Sequence, residues 1–473
     1  MRAKCVSACP AGVDTPAYVA LVGQGETQRA LEIHRERNPF AMICGRVCPA
    51  FCERRCRRGE VDEAVSIRLI KRYMGDAEME QPWTPPPLEG PKLEKVAVVG
   101  SGPAGLTAAL RLAQLGYRVK VFEALPVPGG MLAVGIPAYR LPKEILKAEV
   151  DNIRRAGVDI ECNKALGRDF TVAGLNEQGY AAVVLAIGAH KSRKLGLAGE
   201  EKQGFLAGTD FLREIALGGR PDVAGKRVAV VGGGDVAIDV ARSAWRLGAS
   251  EVHVVYRRTR EDMPAYAEEI AAAEAEGTRF HVLVNPTAVL GNGKVEGLLL
   301  QRQALGEFDV GARRKPVPMP GSEYPLACDV VIPAIGQVSD VSCLADEQTI
   351  QTTRGGTLVV GHNLATTLPG VFAAGDAVSG PATVVQAVAQ GNEAAIAVYN
   401  YLTGQSVTAA EKLGGYHHVD LTYDVTLYAE AKRVENAELP PELRRGNFAE
   451  IELGLPAAAA REESHRCLHC DLE

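Results

Sequence analysis

A buried β-strand that runs into a glycine-rich turn and then into an apolar-faced helix occurs twice in this chain of 473 residues. The two copies read VAVVGSGPAG over residues 96–105 and VAVVGGGDVA over residues 228–237. In such a turn the first glycine permits the sharp bend, the second lets the backbone approach a pyrophosphate, and the third lets helix and strand pack closely. The helix then offers free amide groups and a partial positive charge to the anion. The repeat therefore predicts two dinucleotide-binding units.

The first unit has features typical of an FAD site. Its second strand, residues 118–123, ends at Glu123, where a carboxylate accepts hydrogen bonds from a ribose diol. Residues 370–376 would deliver Asp376 to the ribityl–phosphate region of a flavin, and the dipole of the following helix would stabilise the reduced ring. A helix-capping role for Asp376 is the alternative. The FAD candidates from these patterns are Gly100, Gly102, Ala104, Gly105, Glu123, Gly375, Asp376 and Thr383.

The second unit ends its second strand, residues 251–258, in Arg257 and Arg258 instead of an acid. A carboxylate there would repel a 2′-phosphate, whereas guanidinium groups bind phosphate oxygens in a fork. The pair favours NADP(H) over NAD(H), with a solvated basic turn as the alternative. The NADP candidates are Gly232, Gly234, Asp235, Ala237, Arg257 and Arg258, alanine being a permitted third residue of the turn.

The cysteines are unevenly spread: of eleven, six lie in the first 56 residues, two in the last seven and three between. In a reducing compartment such clusters indicate metal ligands before disulfides. The spacing Cys5-x3-Cys9-Pro10 is typical of the end of a ferredoxin ligand run. The eight terminal cysteines are enough for two 4Fe–4S clusters. A nucleotide-binding scaffold with structural zinc sites is the alternative from another class.

These features predict an α/β fold with two nested Rossmann-like domains, for FAD and NADP, preceded by a small α-helical iron–sulfur domain. The second unit interrupts the first, because the strand and turn that complete the FAD fold come after it. The expected segments are a helical 4Fe–4S domain at 1–77, a Pro-rich linker at 78–92, an FAD domain in two parts at 93–190 and 328–405, an NADP(H) domain at 191–327 and a tail ending in CxxC at 406–473.

Charge and hydropathy exclude two kinds of partner. The net charge of −6 comes without a basic stripe, which argues against nucleic acid. No apolar run is long enough for a membrane span, and the first residues lack the apolar core of a secretory signal. We therefore expect a cytoplasmic protein.

Several segments together resemble the glutamate synthase small (β) subunit family. They are residues 44–56, 128–143, 256–264 and 328–336. The family includes the NADPH-oxidising half of dihydropyrimidine dehydrogenase and the flavin subunit of NADPH:ferredoxin transhydrogenases, and the resemblance covers residues 1 to about 405. It implies hydride transfer from NADPH to the flavin and single-electron transfer to the clusters, so no catalytic side chain is expected. It adds Gly130, Leu132 and Arg140 to the FAD candidates and Gly336 to the NADP candidates.

The resemblance also assigns cluster ligands. It implies that Cys5 and Cys56 serve one cluster and that Cys9, Cys48 and Cys52 serve a second. The family's CxxC before the first of these is not in this sequence, so we expect Cys467 and Cys470 to fold back and complete the first cluster. Where the family supplies a Gln or Glu to the second cluster this chain has Lys71, which cannot ligate as an ammonium. Cys44 is the substitute, with a non-ligating buried thiol as the alternative.

Two functional alternatives share this architecture. A disulfide reductase needs a cysteine pair beside the flavin, and Cys162, Cys328 and Cys343 are too widely spaced to form one. The CxxC ending resembles NADP-linked electron-input subunits that work with partner iron–sulfur redox subunits in a hetero-oligomeric complex. We therefore favour an NADPH-linked electron-transfer subunit over a true glutamate synthase small subunit.

Overall fold

A computed structural model describes residues 3–308, 313–428 and 431–471. The helices are α1 Lys4–Ala8, α2 Thr15–Gly23, α3 Thr27–Arg37, α4 Ala41–Val47, α5 Ile67–Asp76, α6 Pro103–Gln114, α7 Met131–Val134, α8 Lys143–Arg155, α9 Val172–Glu177, α10 Gly208–Ala216, α11 Asp235–Arg246, α12 Ala267–Ala275, α13 Asp376–Ser379, α14 Val384–Thr403, α15 Ala409–Leu413 and α16 Ala457–His465. The strands are β1 Lys95–Val99, β2 Arg118–Phe122, β3 Asp159–Glu161, β4 Tyr180–Leu185, β5 Lys191–Ser192, β6 Arg227–Val231, β7 Glu251–Tyr256, β8 Arg279–Val282, β9 Val284–Leu290, β10 Gly297–Phe308, β11 Arg314–Pro318, β12 Tyr324–Ala327, β13 Val330–Pro333, β14 Gln337–Val338 and β15 Val371–Ala373.

Two parallel sheets form the body of the chain. The first has the order β15-β4-β1-β2-β3 and the second the order β13-β6-β7-β8. All four strands of the second sheet lie, along the chain, between β4 and β15 of the first. The nested arrangement predicted from the two glycine turns is therefore what the structure shows. A separate antiparallel sheet contains β9 to β12. Strands β5 and β14, which lie in the two chain connections between the parallel sheets, pair with each other as a short ribbon.

The N-terminal segment is helical, as its sequence periodicity predicts. Asp14 starts α2 by accepting a hydrogen bond from the amide of Ala17, and Pro16 occupies the first turn, where its missing N–H is not needed. Helices α2 to α5 bury apolar side chains in a core that is continuous with that of the first parallel sheet. The helical segment is thus packed directly against the first dinucleotide unit. Within the described ranges, every helix is too short or too polar to cross a bilayer.

Helices α6 and α14 of the first unit meet at a glycine. Helix α14 begins with a capping box in which Thr383 and Gln386 exchange side-chain and backbone hydrogen bonds. Where it crosses α6, a Cβ placed on Gly391 would lie 2.5 Å from the carbonyl oxygen of Ala104. This contact brings α14 against the start of α6, beside the first glycine turn.

The C-terminal tail returns to the helical segment, although its sequence suggested little regular structure. On its way it contacts the second sheet's unit, where Arg444 pairs with Glu276 at 3.3 Å. Its last helix, α16, then packs against α2 and α5. There the fully buried Glu463 accepts hydrogen bonds from the amides of Ser66 and Val434, each at 2.7 Å.

Replacing Glu463 by alanine tests this docking contact. The change leaves the buried Ser66 amide and the part-buried Val434 amide without their acceptor, while Arg466 loses one carboxylate partner and keeps Asp62. A buried donor left without its acceptor costs about 1–3 kcal/mol. We expect a lower free energy of unfolding and faster proteolytic removal of the tail. The exposed neighbour Glu462, replaced in the same way, is the control; equal behaviour of the two variants would mean that Glu463 does not hold the tail.

Candidate functional site

The first glycine turn is tight at two positions and open at one. Gly100 has φ +101°, and a Cβ added to it would lie 2.3 Å from the carbonyl oxygen of Ala186. A Cβ on Gly105 would lie 2.0 Å from the Gly100 carbonyl oxygen. Gly102, by contrast, has no atom within 4 Å of such a Cβ. The turn therefore leaves free space at the glycine where a pyrophosphate would approach the backbone, which fits a dinucleotide.

Other predicted FAD residues gather around this turn. Glu123 is buried and accepts hydrogen bonds from the amide of Ser101 at 2.9 Å and from the amide of Leu125 at 2.8 Å. Gly130, at φ +55°, approaches so closely that a Cβ on it would lie 2.9 Å from the Cα of Gly102. A carboxylate with two oxygens has further acceptor sites, so Glu123 can bind a ribose as well.

The closing segment of the first unit reaches the same place. A Cβ on Gly375 would lie 2.9 Å from the Cβ of Ala104. The Asp376 carboxylate accepts a hydrogen bond from the Ala382 amide at 3.2 Å, and burial raises the pKa of Asp376 to about 6. Thr383 caps α14 just beyond it. The structure thus brings together candidates that are some 275 residues apart in sequence (100 against 375).

Two of the FAD candidates have other surroundings. Leu132 is a buried core residue of α7. Arg140 is paired with Asp239 of α11 at 2.9 Å and with Glu269 at 3.3 Å, so it joins the two dinucleotide units. The roles of both in FAD binding stay predictions.

The second glycine turn repeats the geometry of the first. Gly232 has φ +148°, and a Cβ on it would lie 2.3 Å from the Ala334 carbonyl oxygen. For Gly234 the nearest atom to such a Cβ is 3.8 Å away, in Pro264. Asp235 opens α11 and accepts a hydrogen bond from the Tyr266 amide at 3.2 Å, and Ala237 is fully buried.

The structure separates the two arginines after β7. Arg257 is exposed, and no hydrogen bond or ion pair joins it to another described residue. Arg258 is buried and donates from Nε to the carbonyl oxygen of Arg314 at 2.8 Å. Gly336 lies in the link between the units, where its carbonyl accepts from the Arg193 amide at 3.0 Å. Of the two arginines, Arg257 has the surroundings that suit contact with a 2′-phosphate.

Four cysteines from the two ends of the chain line one pocket, here called the tail pocket. They are Cys5, Cys56, Cys467 and Cys470. Burial, and then the neighbouring thiols, raise the pKa of Cys5, and burial raises the pKa of Cys467 to about 12. Cysteines from both ends of the chain thus line one pocket, and their role as ligands of one cluster stays a prediction.

Three further cysteines line a second pocket, here called the inner pocket, together with Lys71. They are Cys9, Cys48 and Cys52. Burial acts to lower the pKa of Lys71, but the cysteines near it, Cys48 first and Cys44 next, raise it above its ordinary value. Cys44 is fully buried close by, does not line the pocket, and accepts a hydrogen bond from Asn38 Nδ2 at 3.3 Å. Its assignment as a ligand stays a prediction.

The inner pocket also contains a residue that sequence reasoning missed, His34. It lies on the buried face of α3, in helical spacing with Ala30 and Leu31, and that spacing was the available signal. Its ring is 1% exposed, and neither ring nitrogen has a hydrogen-bond partner. Burial lowers the pKa of His34 well below its ordinary value, and the cations of Lys71 and Arg35 lower it further.

The cysteine arrangement fits clusters better than single ions. Zinc needs four ligand atoms about 2.0–2.3 Å from one point. Among residues 3–308, 313–428 and 431–471, no group of three or more His, Cys, Asp or Glu side chains is placed to hold one metal ion. The two pockets group four and three cysteines, and thiolates are the usual protein ligands of a 4Fe–4S cluster. None of the eleven cysteines, all of which lie in the described ranges, forms a disulfide.

Comparison with known proteins assigns the family. Residues 94–391 match the family described as pyridine nucleotide-disulphide oxidoreductase, and residues 1–83 match the 4Fe-4S cluster domain II of dihydropyrimidine dehydrogenase. The chain belongs to the pyridine nucleotide-disulphide oxidoreductase family. Its fold is similar to that of Mycobacterium tuberculosis FprA in complex with NADPH, at a TM-score of 0.55 and 21% identity over 66% of this chain and 85% of that one.

Relatives narrow the class further. The chain is 45% identical to the β subunit of an NADP(+)-dependent formate dehydrogenase from Moorella thermoacetica, over 99% of this chain and 71% of the relative. It is 42% identical to the β subunit of an NADPH-Fe(3+) oxidoreductase from Geobacter sulfurreducens, over 99% and 75%. It is 36% identical to the glutamate synthase [NADPH] small chain of Azospirillum brasilense, over 84% and 86%. The predicted fold and family resemblance are confirmed: the chain is an NADPH-dependent oxidoreductase that binds FAD and NADP(H) and has a 4Fe–4S domain.

Replacing Arg257 by glutamine tests the nucleotide preference. If its guanidinium contacts the 2′-phosphate, the change removes a charge-assisted contact of roughly 1.5–3 kcal/mol. The preference for NADPH over NADH in flavin reduction should fall at least about tenfold, chiefly through weaker NADPH binding. The exposed Arg260, which pairs with Glu274, provides the matched control. An unchanged preference in Arg257→Gln together with a loss in Arg258→Gln would assign the contact to the buried arginine.

Proposed function

We propose that this chain is the NADP(H)- and flavin-binding subunit of a hetero-oligomeric redox enzyme and that it carries two 4Fe–4S clusters. The observation that carries the proposal is the tail pocket, where Cys5, Cys56, Cys467 and Cys470 converge from opposite ends of the sequence. Four thiols are the usual protein ligand set of such a cluster. When bound, FAD exchanges two electrons with the nicotinamide and one at a time with a cluster.

The positions of the two pockets suggest an order of electron transfer. The inner pocket is lined by Val385, from the first turn of α14, so it lies against the flavin-binding unit. The tail pocket is lined by Lys4 and Arg57, which reach the surface, and Thr15 lines both pockets. A cluster in the inner pocket would therefore lie next to the flavin-binding unit. A cluster in the tail pocket would lie nearer to the protein surface, where a partner subunit could dock.

Ion pairs between the tail and the helical segment hold the proposed cysteine ligands of the tail pocket close together. Asp62 accepts from Arg466 at 2.9 Å and from Arg58 at 2.5 Å. Arg466 precedes Cys467, and Arg58 follows Cys56 by two residues. The shared carboxylate thus fixes the backbone on both sides of the tail pocket before any iron is bound.

The partner that we propose is an iron–sulfur redox subunit, which would exchange electrons with the cluster nearer to the surface. The relatives are named as subunits or small chains, of a formate dehydrogenase, an Fe(3+) oxidoreductase and a glutamate synthase. The alignment with the formate dehydrogenase subunit spans 99% of this chain, tail included, whereas the alignment with the glutamate synthase chain spans 84%. The broader electron-transfer role is therefore favoured over glutamate synthesis.

The double variant Cys467→Ser, Cys470→Ser tests the proposal. The anaerobically purified protein should contain one FAD and about eight irons, and the variant about four, because one cluster loses half of its ligands. FAD content and flavin reduction by NADPH should stay unchanged. Cys343→Ser, which alters a half-buried thiol of the flavin-binding unit, is the control and should keep all iron. Full iron content in the double variant, or zinc in place of iron in the unaltered protein, would contradict the proposal.

A further inference from the structure

The inner pocket contains three cysteines, one fewer than the four thiol ligands of the usual 4Fe–4S site. The remaining donor must come from the residues around Cys9, Cys48 and Cys52. Lys71 lines the pocket but, as an ammonium, has no lone pair to donate to iron. Its positive charge faces the thiolates instead.

Asn38 and Cys44 are already engaged with each other. Asn38 lines the pocket, but its Oδ1 accepts from the Phe40 amide at 2.9 Å and its Nδ2 donates to Cys44 Sγ at 3.3 Å. Both ends of the amide are thus engaged within the protein. Cys44 lies near Lys71 and Cys48 but its sulfur already accepts that hydrogen bond.

His34 is different, because its hydrogen-bonding groups are not engaged. The ring is 1% exposed, lines the inner pocket, and has no hydrogen-bond partner at Nδ1 or Nε2. Buried polar groups in folded proteins almost always have a partner, so a fully buried histidine without one calls for an explanation. Among the described residues, the His34 ring makes an edge contact with the ring of Tyr18, with 5.7 Å between the ring centroids. Imidazole nitrogen is an established iron ligand in iron–sulfur proteins.

We propose that His34 is the fourth protein ligand of the 4Fe–4S cluster in the inner pocket, beside Cys9, Cys48 and Cys52. The proposal rests on the two-cluster function above and names the missing donor of one site. A neutral imidazole in place of a thiolate makes the cluster one charge less negative, and the nearby Lys71 ammonium acts in the same direction. The cluster in the inner pocket therefore has a higher reduction potential than the all-cysteine cluster in the tail pocket.

Nitrogen hyperfine spectroscopy of the reduced protein tests the ligand directly. The measurement is made on the Cys467→Ser, Cys470→Ser protein, in which the inner cluster is the only one left. We expect a directly bonded nitrogen coupling that changes when the protein is made with ¹⁵N-histidine. It should be absent from the same protein with His34→Cys, which keeps its iron because a thiolate replaces the imidazole, and the midpoint potential should drop. A cluster signal without nitrogen coupling, or one that keeps the coupling in His34→Cys, would overturn the assignment.

A second pair of variants separates His34 from Cys44. In the otherwise unaltered protein, His34→Leu should lose about one iron and give a three-iron signal on oxidation, because the iron without a protein ligand is labile. Cys44→Ser should keep full iron and an unchanged potential. The reverse pattern would make Cys44 the ligand and overturn the proposal. A protein with about eight irons but no nitrogen coupling refutes the His34 ligand alone, whereas a protein that assembles no inner cluster refutes the two-cluster function as well.

Discussion

The buried carboxylate of Glu463 decides whether the two ends of the chain meet. It accepts from the Ser66 amide of the helical segment and from the Val434 amide of the tail, and it pairs with Arg466 at 2.7 Å. Burial raises the pKa of Glu463, while the two amides and Arg466 favour its charged form. A charge in this position is tolerated only with all partners in place, so the contact is specific as well as stabilising. Glu463 lies four residues before Cys467, whose side chain lines the tail pocket together with Cys56.

Charge placement around the two pockets distinguishes them. Arginines flank the tail pocket, but Asp62 takes up two of them, Arg58 and Arg466. In the inner pocket the Lys71 ammonium faces the cysteines themselves. The inner pocket therefore presents a buried cation to its cysteines. It also contacts α14 through Val385, so it lies against the flavin-binding unit.

The sequence predicted the parts of this structure that depend on local backbone geometry. The two glycine turns are sterically constrained, and Gly102 and Gly234 stand open where the motif requires. The expectation that the terminal cysteines converge came from the family resemblance, because the CxxC that the family has before Cys5 is not in this sequence. What the sequence did not reveal depends on tertiary contacts. A histidine on the inner face of α3 looks like any core residue until its neighbours are known.

The surroundings of the two arginines after β7 also depend on tertiary contacts that the sequence does not reveal. Sequence places Arg257 and Arg258 side by side, yet Arg257 is exposed whereas Arg258 is buried and donates to the carbonyl oxygen of Arg314, at the start of β11. Arg140 pairs with Asp239 and so joins the two dinucleotide units, a contact that its sequence position did not indicate. In each case the partner comes from a segment far away along the chain, which no local pattern identifies.

The most direct test of electron flow through this chain is anaerobic reduction by NADPH, followed by rapid freezing and electron paramagnetic resonance. With FAD and both pockets filled, NADPH alone should bleach the flavin and then produce a reduced-cluster signal, with the inner cluster reduced first. Removing the clusters' iron with a chelator should leave flavin reduction and abolish that signal. A protein whose flavin is fully reduced by NADPH while its clusters stay oxidised at equilibrium, although dithionite reduces them, would contradict electron transfer from NADPH through the flavin to the inner pocket.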